Sequence, residues 1–235
     1  MMMRALKFKL IVLIAGIFLI TQAFAPVSSF IPETGTMLLD LPVKSELSII
    51  DPDAYAIAKK AAQSETSEQQ SAKMIDFVSS LVNGESDSIR GIYSEEDFAL
   101  PVVQQPSGKP GFVSTIDGVV TEFSMAKKYG VTGIIAHNYL AGGNFFSLEI
   151  GEVIEVVYGD GEILRYEITS IQSYQALSPD SASSQFVDLV TSEKISATQL
   201  FKRVYMGSHH LTLQTCIQQG SEDSWGRLFI IAEPV

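Results

Sequence analysis

Cysteine, histidine and positive charge are all scarce in this chain. Its 235 residues include one cysteine and three histidines, and 16 basic residues stand against 27 acidic ones. A single cysteine excludes a disulfide within the chain. The net charge of −11 argues against nucleic acid or an anionic membrane surface as a partner, because both repel an acidic protein. No metal-ligand set is recognisable, and with 46% hydrophobic residues we expect one core of ordinary size.

The first 25 residues have the features of an export signal. Three basic residues precede an apolar run at 10–20, which suits a signal peptide and is short for a spanning helix. Ala23-Phe24-Ala25 supplies a small-x-small site, so we predict cleavage after Ala25, with an uncleaved membrane anchor as the alternative. In both cases we expect an extracellular protein at the cell surface, in contact with the membrane only through this segment.

Export changes the interpretation of Cys216. Secreted domains usually pair their cysteines, and this one has no partner within the chain. It is therefore an intermolecular bridge, an inert buried thiol or a reactive thiol, and its count alone does not distinguish these.

Residues 26–97 are predicted to be a linker and a helical extension. Residues 26–50 have mixed polarity, three prolines and no clear period. Met74, Phe77, Val78 and Leu81 then fall on one face of an amphipathic helix. Residues 84–96 are polar and acidic, which is typical of a second linker.

Residues 98–235 have the pattern of an all-β domain, in which short apolar runs alternate with turn residues. The predicted strands are 98–103, a hairpin of 112–116 and 119–123 around Asp117-Gly118, 131–136, a hairpin of 153–158 and 163–168 around Gly159-Asp160-Gly161, 209–217 and 227–232. Residues 186–190 and 196–205 are predicted to be helical, with Ser196 as an N-cap. This pattern indicates a closed β-barrel or a sandwich with a few short helices.

Three side chains at the edges of predicted strands have the chemistry for acyl transfer. Cys216 reacts as a thiolate, and His137 can act as its base and later as an acid toward a leaving amine. Arg227 can stabilise a developing oxyanion without losing its charge. Most proteins contain one residue of each kind, so composition alone is a weak signal.

The local strings are more specific. Thr212-Leu213-Gln214-Thr215-Cys216 resembles the TLxTC signature of the sortases, the cysteine transpeptidases of Gram-positive and related cell surfaces. The strand that ends at His137, the following glycine-containing loop and Phe145-Phe146-Ser147-Leu148 with Gly151 resemble the same family. So do the hairpin with its Asp-Gly turn and the strand that opens with Arg227. The resemblance covers roughly residues 98–235 in the family's order.

This resemblance implies an eight-stranded barrel in which cysteine and arginine lie on adjacent strands. Cys216 is the implied nucleophile, His137 the acid and base, and Arg227 the group that binds the substrate backbone and the oxyanion. The implied substrate is a secreted protein bearing an LPxTG-like motif, and the acceptor is an amine of a wall peptide or a pilin. No cofactor is implied; calcium dependence occurs in some sortases, and nothing in this chain supports or excludes it.

Three further residues are candidate substrate contacts. Thr215 adjoins the nucleophile and can bond the substrate or orient Arg227. Asn138 follows His137, where sortases commonly carry arginine or serine, and this departure leaves the subclass open. Trp225 is expected in the loop after Cys216, as a wall of the peptide groove or as packing. His209 and His210 are expected on opposite faces of a strand, with one of them pointing into the cleft as the alternative.

Residues 31–35, Ile-Pro-Glu-Thr-Gly, resemble the motif that sortases cut, which raises the hypothesis that residues 26–95 occupy the cleft as a pseudosubstrate. Coincidence is the alternative, because the motif lies near the wrong end of the chain for a substrate.

Two other functions stay open from the sequence. One is an exported Cys/His peptidase in which water is the acceptor. The other is a non-catalytic extracellular β-barrel binding module with an inert Cys216. An L,D-transpeptidase would carry a His-Gly-Cys type string at its nucleophile, and Gln214-Thr215-Cys216 does not match it.

Overall fold

The structure, a computed structural model, describes residues 52–235. The predicted export signal and the predicted linker at 26–50, with its motif at 31–35, lie outside the described residues. Within residues 52–235, no helix combines the length and the apolarity that a membrane crossing requires.

The described chain contains three α-helices, one 3-10 helix and ten strands. Their order is α1 (Pro52–Leu81), β1 (Ile89–Ser94), β2 (Phe98–Gln104), β3 (Val120–Glu122), α2 (Ser124–Lys127), β4 (Thr132–Ile135), the 3-10 helix Ala141–Phe146, β5 (Val153–Tyr158), β6 (Ile163–Ala176), β7 (Gln185–Asp188), β8 (Lys194–Ser196), α3 (Ala197–Tyr205), β9 (Leu211–Gln219) and β10 (Glu222–Pro234).

Eight of these strands close into a barrel. The order along the sheet is β10-β9-β4-β3-β2-β1-β5-β6, and β10 also pairs with β6, which closes the ring. β7 and β8 continue the sheet from β6 outside the ring. The closed barrel of about eight strands with a few short helices, expected from the sequence, is confirmed. Closure removes the free edges that an open sheet would expose.

Alternating side chains on each strand fill two separate clusters. On β9, Leu211 and Leu213 point into the barrel, where they join its core. On the outer face, α3 buries Leu200 and Val204 in a second cluster, together with Phe229 of β10. Because the side-chain period of a strand is two, residues on one parity of β9 and β10 face the interior and the others face this outer cluster.

Helix α3 begins where the sequence predicted. Ser196 caps it, since its hydroxyl accepts a hydrogen bond from the Gln199 N–H and its own N–H donates to the Gln199 side chain. This reciprocal capping box gives hydrogen-bond partners to two backbone N–H groups at the start of the helix, those of Ser196 and Gln199. The packing of Leu200 and Val204 against Phe229 places the helix on the outer face beside β10.

Three local predictions were wrong. The hairpin of 112–116 and 119–123 is absent: β3 is its only strand, and both edges of β3 are occupied by β2 and β4. Residues 186–190 are not helical, because the long β6 offers an edge on which β7 pairs. The predicted linker 84–96 contains β1, a buried barrel strand, so the barrel begins before residue 98.

Candidate active site

Cys216 lies on β9 between two neighbouring strands. On one side β10 pairs antiparallel with β9, and Arg227 is the direct partner of Cys216. On the other side β4 pairs parallel with β9, with Ile135 opposite Gln214. The backbone N–H of Ala136 continues this ladder to the Gln214 carbonyl at 3.1 Å, which brings His137 level with Cys216. The fold therefore brings the three predicted residues to one level of three adjacent strands.

All three residues are on the outer face of the barrel. The interior core contains Leu213, Ala136 and Leu228. Leu213 is three positions from Cys216, Ala136 is one from His137, and Leu228 is one from Arg227, so each pair differs by an odd number of positions. Alternation then places the side chains of Cys216, His137 and Arg227 outward, and all three are partly exposed. They are reachable by a substrate, and none is part of the packed interior.

Backbone carbonyl groups hold the Arg227 guanidinium. Its Nη1 donates to the carbonyl oxygens of Ser224 at 2.7 Å and Gly226 at 2.8 Å. Its Nη2 donates to the carbonyl of Pro179, in the loop between β6 and β7, at 3.3 Å. These bonds orient the charge without neutralising it, because no carboxylate is among its hydrogen-bond partners in the described chain.

The Cys216 thiol is less acidic than an ordinary cysteine. Burial raises its pKa, Arg227 opposes this and lowers it, and the carboxylates of Asp223 and Glu222 raise it further. At neutral pH the thiol is therefore mostly protonated, and it would react as a nucleophile only after a base had taken its proton. The imidazole that lies level with it on the neighbouring strand is that of His137.

Thr215 does not face the substrate side. Its side chain is 1% exposed and its hydroxyl donates to the Ala136 carbonyl at 3.0 Å. Its parity on β9 is that of Leu213, which faces the interior. The expectation that it bonds the substrate or orients Arg227 is corrected: it ties β9 to the end of β4.

Asn138 and Trp225 lie near the candidate site, and their role as substrate contacts stays a prediction. The Asn138 side-chain amide donates to the Asp223 carbonyl at 3.1 Å, so it joins the loop after His137 to the β9–β10 hairpin. Trp225 lies in β10, not in a loop, and is half-buried. It falls where the register between β9 and β10 shifts, between Glu222 and Gly226.

His209 and His210 are remote from the site. Both precede β9, whose chain runs from Leu211 toward Cys216, so neither points into the cleft. His209 lies 2.8 Å from the Tyr166 hydroxyl, and His210 is buried against the Val204 carbonyl at 3.1 Å. The expectation of two strand histidines was wrong, because β9 begins at Leu211, two residues later than predicted.

Two residues near the site were not predicted from sequence. Tyr139 stacks on His137, with ring centroids 5.1 Å apart and planes inclined by 20°. Gly142, in the 3-10 helix after His137, lies close to both strands: a Cβ there would collide with Thr215 Oγ1 and lie 2.8 Å from the His137 carbonyl oxygen. The adjacent glycines at 142 and 143 were the only sequence signal for this close approach.

A groove of about 380 Å³ opens next to Arg227 on the outer face. Phe123, Phe201 and Phe229 line it, and Ser181 and Ala182 of the β6–β7 loop form one side. It suits an apolar side chain of an extended peptide. Within residues 52–235, no group of three or more His, Cys, Asp or Glu residues could hold a metal ion.

Comparisons with known proteins found similarity among solved structures. No family model matches the chain, and no curated protein matches it. Listeria monocytogenes sortase A is similar at 13% identity, over 63% of this chain and 88% of that one, with a TM-score of 0.40. Streptococcus agalactiae sortase C1 is similar at 16% identity, over 80% and 93%, with a TM-score of 0.41. Streptococcus suis sortase C1 is similar at 16%, over 79% and 86%, with a TM-score of 0.44.

These structures are sortases, the family that the sequence motifs resemble. At such identities the similarity concerns the fold alone, and the barrel described above follows from the chain's own strand pairings.

Proposed function

We propose that this chain is an exported, sortase-like cysteine transpeptidase. One observation carries the proposal: Cys216 is the paired neighbour of Arg227 on β10 and is level with His137 beyond β4, with all three on the outer face. A nucleophile, an acid–base group and a fixed cation on adjacent strands are what acyl transfer requires.

In the proposed reaction, His137 takes the Cys216 proton and the thiolate attacks the threonine carbonyl of an LPxTG-like motif. Arg227 stabilises the oxyanion of the tetrahedral intermediate. The carbon–nitrogen bond breaks, His137 returns its proton to the leaving glycine amine, and a thioester remains on Cys216. An acceptor amine then loses a proton to His137 and attacks the thioester, which releases the thiol and forms the new amide.

The groove beside Arg227 supports an extended peptide substrate. Its aromatic lining can bury the first, apolar residue of the motif, and Arg227 can meet the backbone that follows. The proposed acceptor is an amine of a wall peptide or a pilin, at the cell surface outside the cytoplasm.

Incubation of the full-length chain with LPxTG-like peptides and amine acceptors tests the proposal. We expect cleavage and amide formation by the wild type, and loss of both in the variants Cys216→Ala and His137→Ala. Arg227→Lys keeps the positive charge but lacks the planar guanidinium with its paired N–H donors. A large loss of cleavage and transfer in this variant therefore supports oriented binding of the oxyanion. Cleavage without transfer to any amine would favour a hydrolase, and an inert thiol in the wild type would favour a binding module.

A further inference from the structure

A second cavity, of about 560 Å³, lies at the opposite end of the barrel from Cys216. Glu122 at the end of β3, Thr132 at the start of β4 and Tyr158 at the end of β5 line it, and His209 stands just before β9. Cys216 is five residues further along β9 than Leu211, roughly 17 Å at the rise of an extended strand. The cavity is thus separate from the candidate active site.

Glu122 is the unusual group in this cavity. It is 4% exposed and shares the inward parity of Val120, so its carboxylate lies at the mouth of the barrel interior. Its Oε2 atom is buried and has no hydrogen-bond partner in the described chain. A buried acceptor without a partner costs free energy, so this oxygen calls for a donor from outside the chain, such as water, an ion or a ligand.

The resident cation does not satisfy this carboxylate. Lys127 Nζ lies 3.8 Å from the other oxygen, Oε1, and donates instead to the Asp87 carbonyl at 3.0 Å. The Lys127 side chain is 62% exposed, so it lies at the rim of the cavity and does not fill it. The neighbouring His209 ring is engaged on both sides, with Gly130 and Tyr166.

Charge and hydrogen bonding at the cavity define what would fit. Asp87, Glu122 and Glu162 line it, against the ammonium group of Lys127 and the imidazole of His209. Burial raises the pKa of Glu122, and the charge of Lys127 and the nearby Gln104 amide oppose this. The Gln104 amide donates to the Ile89 carbonyl at 2.9 Å and leaves Oε2 without a partner, so an added cation would stabilise the charged form of Glu122. Burial, with Tyr166 and Glu122 nearby, raises the pKa of Tyr158 to about 12, which keeps this phenol neutral.

A metal ion does not suit this lining, because within residues 52–235 no three His, Cys, Asp or Glu side chains are arranged so that they could hold one together. We propose that the barrel-end cavity binds a small organic ammonium ion, whose N–H groups donate to the unpartnered oxygen of Glu122. The volume lies within the range of small-molecule sites, and the mouths of barrels are common places for them.

Isothermal titration calorimetry of the full-length chain with n-butylammonium tests this proposal. Neutral n-butanol and anionic butyrate are the matched controls, because they have similar size and lack the ammonium group. We expect saturable binding of n-butylammonium only, weakened about tenfold or more in Glu122→Gln, which keeps the shape but loses the charge. We expect unchanged binding in Cys216→Ala.

Lys127→Met gives an independent measure, because it removes the cation that competes for Glu122. We expect tighter n-butylammonium binding in this variant. Absence of saturable binding in the wild type, equal binding of n-butanol or butyrate, or unchanged affinity in Glu122→Gln would each overturn the proposal. So would weaker binding in Lys127→Met.

Discussion

The Thr215 hydroxyl donates a 3.0 Å hydrogen bond to the Ala136 carbonyl, so the residue before Cys216 holds the residue before His137. This bond is buried, and it continues the parallel ladder between β9 and β4 to the point where the chemistry is proposed to occur. The relative position of the nucleophile and its base thus depends on a side chain that no substrate touches.

Replacing Thr215 separates this positioning role from substrate binding. Thr215→Val keeps the shape and removes the donor, and we expect it to lower kcat about tenfold with little change in KM. It should also cost about 1 kcal/mol in the free energy of unfolding, measured by urea denaturation. Thr215→Ser keeps the hydroxyl and should restore kcat. A variant series in which KM rises and kcat is unchanged would instead indicate a substrate contact.

Gly142 offers a second test of the same region. A methyl group there would collide with Thr215 Oγ1 and press on the carbonyl oxygens of His137 and Ala136, at 2.8 and 3.0 Å. We expect Gly142→Ala to destabilise the protein by about 1–3 kcal/mol and to lower activity, because the loop carrying His137 must shift. Gly111→Ala is the matched control, since a Cβ at that glycine meets nothing within 4 Å. Equal unfolding midpoints for the two variants would contradict the packing described.

The pH dependence of thiol alkylation reports the charges around Cys216. It is the only cysteine of the chain, so iodoacetamide labels one site. Since burial and the two carboxylates raise the thiol pKa, we expect the rate to rise with pH to a midpoint above that of an ordinary cysteine. Arg227→Gln should raise the midpoint further, because the favourable cation is lost.

Asp223→Asn is the matched opposite of Arg227→Gln. It removes a carboxylate that raises the thiol pKa and leaves the backbone carbonyl that Asn138 contacts. We expect its alkylation midpoint to shift to lower pH. A shift in the other direction, or the same midpoint in all three proteins, would show that these charges do not control the thiol.

Glu122 makes stability depend on pH. Burial raises the pKa of its carboxyl group in the folded state above the value in the unfolded chain. The protonated group therefore contributes its full stabilisation of the fold below the unfolded pKa, and this stabilisation is lost as the pH rises through the folded pKa. Without ligand, Glu122→Gln should therefore be more stable than wild type at pH 7, by about 1 kcal/mol, and gain nothing at pH 4. Urea unfolding at the two pH values measures this. A variant less stable at pH 7 would mean that the ion pair with Lys127 outweighs burial.

The barrel could be predicted from the sequence because the signals of its strands are local. The roles of Cys216, His137 and Arg227 stay a prediction, and the structure places the three residues at one level of the sheet. The hairpin of β5 and β6 is rich in β-branched and aromatic residues around its glycine turn, and Ser196 caps α3 with Gln199 as its partner. Strand β1 was missed since Ile89–Ser94 is short and follows an acidic stretch, although its buried residues complete the ring.

Other features depend on contacts between distant segments and leave little trace in one sequence. The inward orientation of Thr215 follows from the register of three strands. At position 142 a glycine is required because Thr215 Oγ1 and the His137 carbonyl occupy the space that a Cβ would need. The burial of Glu122 follows from the closure of the barrel, and nothing in the local sequence distinguishes it from a surface glutamate. Residues 186–190 were assigned to a helix because a short apolar run does not distinguish helix from strand, and the exposed edge of β6 decided between them.

Mass spectrometry of the intact full-length protein, mixed with an LPxTG-like peptide and no amine acceptor, is the most direct test that Cys216 forms an acyl-enzyme. We predict an adduct with the mass of the peptide's acyl part, bound at Cys216 as a thioester and released as an amide when an amine is added. Cys216→Ala should form no adduct and cleave no peptide. Cleavage that persists in this variant, or an adduct on any other residue, would show that Cys216 is not the nucleophile.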